Sequence, residues 1–333
     1  MRTWSTRTGR LWSASTCCRC ERNREAGGGE CCNRGTWRIL SGMKIVLIPN
    51  PAKSDAVAAA ARLLTLLHPR QGIETVVMPT PTAAELQAAH ADVVVVLGGD
   101  GSILAAAQLL GEAAVPVAGI NFGKLGYLAA FSLDEFVANL PALLNGELPR
   151  AARLMLHAAV YKRPHEGLLL PEELRSQKPR VAGLALNDVV INAGDPFRMV
   201  ELTMQIDGHQ TTTFRSDGVI VSTASGSTGY NLSAGGPLLS PDVEAMVLTP
   251  ICPHSLSFRP VVLSASASVL ILPCRLNPGS KVTFDGQSTH GIYEDEVVMI
   301  RRSEASLTLL ENPAVTHWQM LAHKLHWAQN PRQ

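Results

Sequence analysis

The sequence predicts an α/β domain followed by a β-rich domain, and three observations carry that expectation. From Met43 to about Asn145, short apolar strands alternate with Ala/Leu-rich helical stretches, the pattern of a parallel sheet covered by helices. Beyond Asn145-Gly146 the chain reads as strands separated by turn residues. The 333 residues, 46% of them hydrophobic, are enough for two domains with buried cores. With 17% charged residues and a formal net charge of +1, the composition excludes a chain disordered throughout and a strongly basic nucleic-acid binder. No apolar run approaches the ~18–20 residues of a membrane-spanning helix. Neither a nucleic acid nor a membrane is therefore expected as a partner.

The elements follow in order. Lys44–Ile48 is an apolar strand that stops at Pro49-Asn50-Pro51. Residues 55–67 repeat Ala and Leu at helical spacing up to His68-Pro69. Thr75–Met78 is a second strand, and Thr82-Ala83-Ala84-Glu85 has the capping-box pattern of a helix start. Val93–Leu97 is a third strand, followed by Gly98-Gly99-Asp100-Gly101 and a helix to Leu110. Val115–Ile120 is a fourth strand, and Ser132–Glu135 opens another capped helix with Phe136, Val137 and Leu140 on one face. Further on, Leu202–Ile206 alternates with period two into Asp207-Gly208, a hairpin signal. Val219–Ser222, Val261–Leu272 and Val282–Phe284 read as strands, and residues 163–180 as a long exposed loop. Ala314–Leu325 reads as a helix returning to the first domain. The expected organisation is therefore 43–146, joined by about 306–333, as the α/β domain and 147–305 as the β-rich domain.

Residues 1–42 are unlike the rest. They hold eight arginines, no lysine, three of the five tryptophans and five of the seven cysteines. No helical or strand period persists there, nor an apolar core of the length a secretory signal needs. Without this stretch the chain holds 21 Lys+Arg against 25 Asp+Glu, a net charge of −4. The expectation is a disordered or non-native upstream extension, with Met43 as the true start. Cys17 and Cys20 have zinc-like spacing, but the vicinal Cys31-Cys32 pair suits a zinc knuckle poorly, and no metal ligands are expected. Only Cys252 and Cys274 remain beyond it, which fits a reducing cytoplasm.

Three motifs carry chemistry. Gly98-Gly99-Asp100-Gly101-Ser102 joins a buried strand to a helix. Glycines let backbone amides approach a phosphate, and a helix N-terminus adds partial positive charge. An acid there makes sense if it works on a proton, so Asp100 is the candidate base drawing a hydroxyl towards a phosphoryl group; the plain alternative is a tight turn. Neither G-x-x-x-x-G-K-[ST] nor G-x-G-x-x-G is present at this turn. Thr223–Ser233 is a hydroxyl- and glycine-rich loop in which Tyr230 offers a flat face; alone it could be any Ser/Gly-rich loop. Asn187-Asp188 is a polar pair before Val189-Val190-Ile191 and could be a mere strand-end turn.

Together with Arg215-Ser216-Asp217-Gly218 and Pro250-Ile251-Cys252-Pro253-His254-Ser255, in this order, these motifs resemble the NAD kinase family over residues 43–326. The first motif alone is shared with diacylglycerol and sphingosine kinases. The resemblance implies a Rossmann-like N-terminal domain and a β-rich, sandwich-type C-terminal domain, with the dinucleotide in the cleft and often a contribution from a neighbouring subunit. It implies that Asp100 accepts the proton of the adenosine 2′-hydroxyl. Gly101, Asn187 and Asp188 would contact the dinucleotide, and Thr228, Gly229, Tyr230, Asn231, Leu232 and Ser233 would hold its adenosine half. Arg198, Arg215, Asp217 and Gln287 occupy further dinucleotide-binding positions. Tyr127 would line the pocket, and His254 would lie near the new phosphate or serve structure. The implied reaction converts NAD to NADP with ATP or polyphosphate, with Mg²⁺ or another divalent cation arriving on the nucleotide. The implied assembly is a cytoplasmic homodimer or homotetramer.

The sequence departs from the family pattern at Ser102 (usually Thr), Asp188 (usually Glu), Ala224 (usually Pro) and Gly229 (usually Ala). The first two keep the chemistry, while the last two loosen the loop. A lipid kinase of the diacylglycerol type would share the glycine turn but needs a membrane-seeking helix that residues 43–333 lack. A non-catalytic NAD(P) sensor would not need Asp100.

Overall fold

The computed structural model describes residues 42–123, 126–196 and 198–325. The expected upstream extension, and the part of the C-terminal return beyond 325, lie outside the described residues. The first part runs β1 (Met43–Pro49), α1 (Ser54–Leu67), β2 (Ile73–Val77), α2 (Ala83–Ala88), β3 (Val93–Leu97), α3 (Asp100–Leu110), β4 (Val117–Ile120), α4 (Leu133–Ala138) and α5 (Leu140–Leu144). These four strands are parallel, in the order β2-β1-β3-β4. Their apolar runs are continuous because both faces are covered. Ile45, Leu47, Val93 and Val95 pack with α1, α4 and α5, and Val46, Ile48, Val94 and Val96 pack with α2 and α3. Thr82 and Ser132 form the expected capping boxes. The second capped helix ends at Ala138, and Leu140, expected on its face, opens α5 instead, after a cap at Asn139.

The second part comprises β5 (Arg150–Lys162), α6 (Pro171–Arg175), β6 (Val181–Ala185), β7 (Asp188–Asn192), β8 (Val200–Ile206), β9 (His209–Ser216), β10 (Gly218–Thr223), a 3₁₀ turn (Ser225–Thr228) and α7 (Tyr230–Ser233). It continues through β11 (Ala245–Ile251), β12 (Val261–Ser264), β13 (Ser268–Arg275), β14 (Lys281–Phe284), β15 (Ser288–Gly291) and β16 (Glu296–Leu310) to α8 (His317–Leu325). A six-stranded antiparallel sheet, β12-β11-β10-β7-β14-β15, packs on the larger sheet. Leu156, Met204, Ile271 and Ile300 from one side meet Ile191, Val221, Leu248 and Phe284 from the other, the core of a sandwich. The larger sheet is continuous with the parallel one. β16 pairs with β5 and β13, shifts register between Arg302 and Ser306, and reaches β4 at Leu309. Thr316 and Gln319 exchange hydrogen bonds at the start of α8, so the helix begins later than Ala314. Among the described residues no helix is long and apolar enough to cross a membrane.

Two strand-and-loop expectations are corrected. Residues 163–180 are not simply an exposed loop: they carry α6 and bury Leu169 and Leu174 against Tyr161, Leu270, Leu272, Val297 and Met299. The outer face of β5, β16 and β13 is apolar and needs this cover. Val261–Leu272 is not one strand. β12 lies in the smaller sheet and β13 in the larger, and the chain crosses between them at Ala265 and Ala267, both buried. No glycine or proline marks that corner in the sequence.

Candidate active site

β1 is flanked by β2 on one side and β3 on the other, so successive connections leave the sheet in opposite directions there. In open α/β sheets, ligands bind in the crevice beyond the carboxyl ends of strands at such a switch point. Two segments face each other across this crevice. Asn50 and Lys53 follow β1, and Gly99, Gly101 and Ser102 follow β3; with Gln287 they line a cleft of about 550 Å³. Asn50 Nδ2 donates to Ser102 Oγ at 3.2 Å, fastening one segment to the other. A Cβ on Gly101 would meet nothing within 4 Å, so this residue borders open space. Lys53 Nζ lies 3.8 Å from where a Cβ on Gly99 would sit, and brings a cation to the turn.

Asp100 is the first residue of α3. Its Oδ1 accepts hydrogen bonds from Leu128 N (3.1 Å) and Ala129 N (3.0 Å), and its Oδ2 accepts one from Tyr127 N (2.9 Å). Lys324 Nζ stands 3.5 Å from Oδ2 and 4.4 Å from the centroid of the Tyr127 ring. Gly126 makes this docking possible, because a Cβ there would fall on Asp100 Oδ1. Burial, and then the Asp100 charge, push the Tyr127 hydroxyl above its usual pKa. Tyr127, Ser225 and Thr228 line a second cleft of about 370 Å³.

Asn187 sits in the tight connection between β6 and β7, and Asp188 opens β7; both are clamped by Asp285. Asp285, buried and in a left-handed conformation (φ 52°), accepts from Leu186 N (2.8 Å), Asn187 N (2.7 Å) and Asp188 N (3.0 Å). Burial raises the Asp285 pKa, against the pull of these amides. The buried Asp188 carboxyl is pushed up to about 7, by burial first and the Asp285 charge second. The hydroxyl-rich loop docks on the same connection. Thr223 N donates to Asn187 O at 2.8 Å, and a Cβ on Gly226 would strike that carbonyl. Asn187 Nδ2 lies 3.8 Å from where a Cβ on Gly229 would sit.

The remaining expected residues are placed differently. The Asn231 side chain is spent inside: it donates to Ser227 O and Pro237 O and accepts from Thr249 Oγ1 at 2.6 Å. Leu232 is half-buried, whereas Tyr230 and Ser233 are exposed. Arg215 and His254 line a third groove, of about 700 Å³, on β8 and β9. There Arg215 Nε donates to Glu201 Oε2 at 2.7 Å, and His254 N donates to Arg215 O at 2.9 Å. Arg198 and Asp217 are exposed. The three clefts share no lining residue among the described ones. Arg215 and His254 line a different groove from the one lined by Gly101 and Gln287.

Sequence reasoning missed Lys53, Gly126, Asp285 and Lys324. Asp285-Gly286 is a turn signal that could have marked the third of these. Lys324, far along the chain in an ordinary helical stretch, carries no signal. Among the described residues no group of three or more His, Cys, Asp or Glu could hold a metal ion.

The sequence matches known proteins over most of its length. The ATP-NAD kinase N-terminal domain matches residues 46–148, and the ATP-NAD kinase C-terminal domain matches 186–312. The NAD kinase of Geobacter metallireducens is 39% identical over 239 residues, 72% of this chain and 80% of that protein. The NAD kinase of Cupriavidus pinatubonensis is 41% identical over 253 residues, 76% of this chain and 78% of that protein. The crystal structure of yeast NADH kinase complexed with NADH shares the fold, with TM-score 0.75 and 23% identity over 88% of this chain and 89% of that one. An NAD kinase from Archaeoglobus fulgidus in complex with ATP has TM-score 0.67 and 25% identity, over 85% of this chain and 99% of that one. With both domains matched, and relatives near 40% identity along most of its length, the chain belongs to the NAD kinase family.

Proposed function

We propose that this protein transfers the terminal phosphoryl group of ATP, or of polyphosphate, to the 2′-hydroxyl of the adenosine ribose of NAD, giving NADP. The observation that carries the reading is a single carboxylate, Asp100, fixed by three backbone amides within a glycine turn at the switch point of the sheet. The donor phosphates lie in the cleft between Lys53 and Gly101, against backbone amides and one lysine. A divalent cation held by those phosphates would neutralise part of their charge. Asp100 accepts the hydroxyl proton as the ribose oxygen bonds to the terminal phosphorus. The bond from that phosphorus to its bridging oxygen breaks, and ADP, or the polyphosphate shortened by one unit, leaves with the electron pair.

Asn187, Asp188, Thr228, Gly229 and Tyr127 gather around the loop that docks on Asn187 and take the adenosine half. Tyr230, Leu232 and Ser233 flank it, and Asn231 braces the loop from within. Arg198 and Asp217 are exposed and Arg215 and His254 line a separate groove; in a homodimer or homotetramer they reach the dinucleotide of a neighbouring subunit. The free Cys252 and Cys274 support a reducing compartment, the cytoplasm, as the protein's place of work.

A coupled assay of the purified chain with NAD, Mg²⁺ and either ATP or polyphosphate tests the reading. NADP formation is expected. Phosphorylation of diacylglycerol vesicles but not NAD, or NAD binding without turnover, would overturn it.

A further inference from the structure

We infer that Lys324 is a positioning residue for the transfer step, reaching from the C-terminal helix to hold the carboxylate of Asp100. The inference rests on Asp100 being the base. A carboxylate offers about four lone-pair sites. Leu128 N and Ala129 N fill both on Oδ1, and Tyr127 N fills one on Oδ2. One site on Oδ2 remains for the hydroxyl proton. The Lys324 ammonium stands 3.5 Å from that oxygen, beyond a charged hydrogen bond of about 2.7–2.9 Å. It therefore holds the charge of Oδ2 without closing the free site. On its other side the ammonium lies over the Tyr127 ring, whose own amide is one of the three donors. Lys324 thus braces the carboxylate directly, and indirectly through the loop that cradles it.

An exposed ion pair is worth little. Here the lysine side chain is 22% exposed and the aspartate 29% exposed. The helix behind the lysine is anchored. Met320 and Leu321 are buried, four and three residues before Lys324 on the same face. Asn312 Nδ2, just before the helix, donates to Ala130 O at 3.1 Å, next to the loop that binds Asp100. The lysine stem is therefore directed at the carboxylate by packing rather than by the ion pair alone.

The test compares Lys324→Met, which keeps an apolar stem without the charge, with Lys324→Arg, each also in an Asp100→Asn background. Lys324→Met should lower kcat about fivefold, the size of a partly screened charge contact, with the KM for NAD within twofold of wild type. Lys324→Arg should restore most of kcat, and neither change should lower kcat further once Asp100 is Asn. Lys324→Gln replaces Met if that variant does not fold. A wild-type or raised kcat for Lys324→Met overturns the inference, as does an Arg variant no better than Met. A fivefold loss that persists with Asp100→Asn does so too, because the lysine would then act independently of the carboxylate. Should Asp100→Asn alone retain wild-type kcat, it is the base assignment that has failed, and that result is separate from all of these.

Discussion

Replacing Gly126 by alanine should cost about 100-fold in kcat while leaving a folded protein. The new Cβ would fall on Asp100 Oδ1 and lie 3.1 Å from Ala129 N, a backbone atom that cannot swing aside. The carboxylate must leave its seat and give up the hydrogen bonds from Leu128 N and Ala129 N. Hydrogen bonds to a charged group contribute about 1.5–3 kcal/mol each. Because the Asp100 side chain is 29% exposed, water recovers part of this, and a net loss of about 2–3 kcal/mol is expected. A displacement of about 1 Å at a reacting group can cost about 10²-fold in rate. Steady-state NADP formation measures kcat, and urea unfolding measures the stability loss. Gly123→Ala serves as the control, since a Cβ there meets nothing within 4 Å. A Gly126→Ala enzyme within threefold of the wild-type kcat would refute the claim that this seat positions the base.

Three further outcomes are expected. The Asp188 pKa of about 7 lies above its unfolded value of 3.8, so the native state holds a proton that the unfolded state has lost. Stability should fall by about 2–4 kcal/mol as pH rises from about 4 to 8, and Asp188→Asn should flatten that slope in urea titrations; an unchanged slope counts against it. Leu174→Ala should destabilise by about 2–5 kcal/mol with kcat kept at low temperature, because the residue is buried under the outer face of the sheet and away from the clefts; a loss under 1 kcal/mol would show that this cover does not matter. The resemblance to the NAD kinase family associates an arginine at position 215 with preference for NAD over NADH, so Arg215→Gly should narrow that preference, and equal use of both by the wild type would refute it.

Most of the α/β part was legible from residues alone. Continuous apolar runs mark strands buried on both faces, and Thr82 and Ser132 mark helix starts through a local four-residue pattern. The glycine turn was legible because glycines beside one acid have few structural uses. What escaped depends on distant pairing. The corner at Ala265–Ala267 has no glycine or proline to mark it, and both its alanines are buried. The helix at Pro171 was hidden in a polar stretch whose two buried leucines find their partners on strands far away in the chain. Asp285 clamps residues about a hundred positions earlier, and Lys324 meets Asp100 only through the returning helix. Arg215 and His254 were grouped with the other candidates by resemblance, yet they line a separate groove.

The role of Asp100 rests most directly on kcat for Asp100→Asn in NADP formation from NAD and Mg²⁺-ATP. Asparagine keeps the size of the side chain but cannot take the hydroxyl proton. A positioned base contributes about 10²–10⁴-fold, so kcat should fall by that order while the KM for NAD changes little. A folded Asp100→Asn protein with near-wild-type kcat would contradict the account.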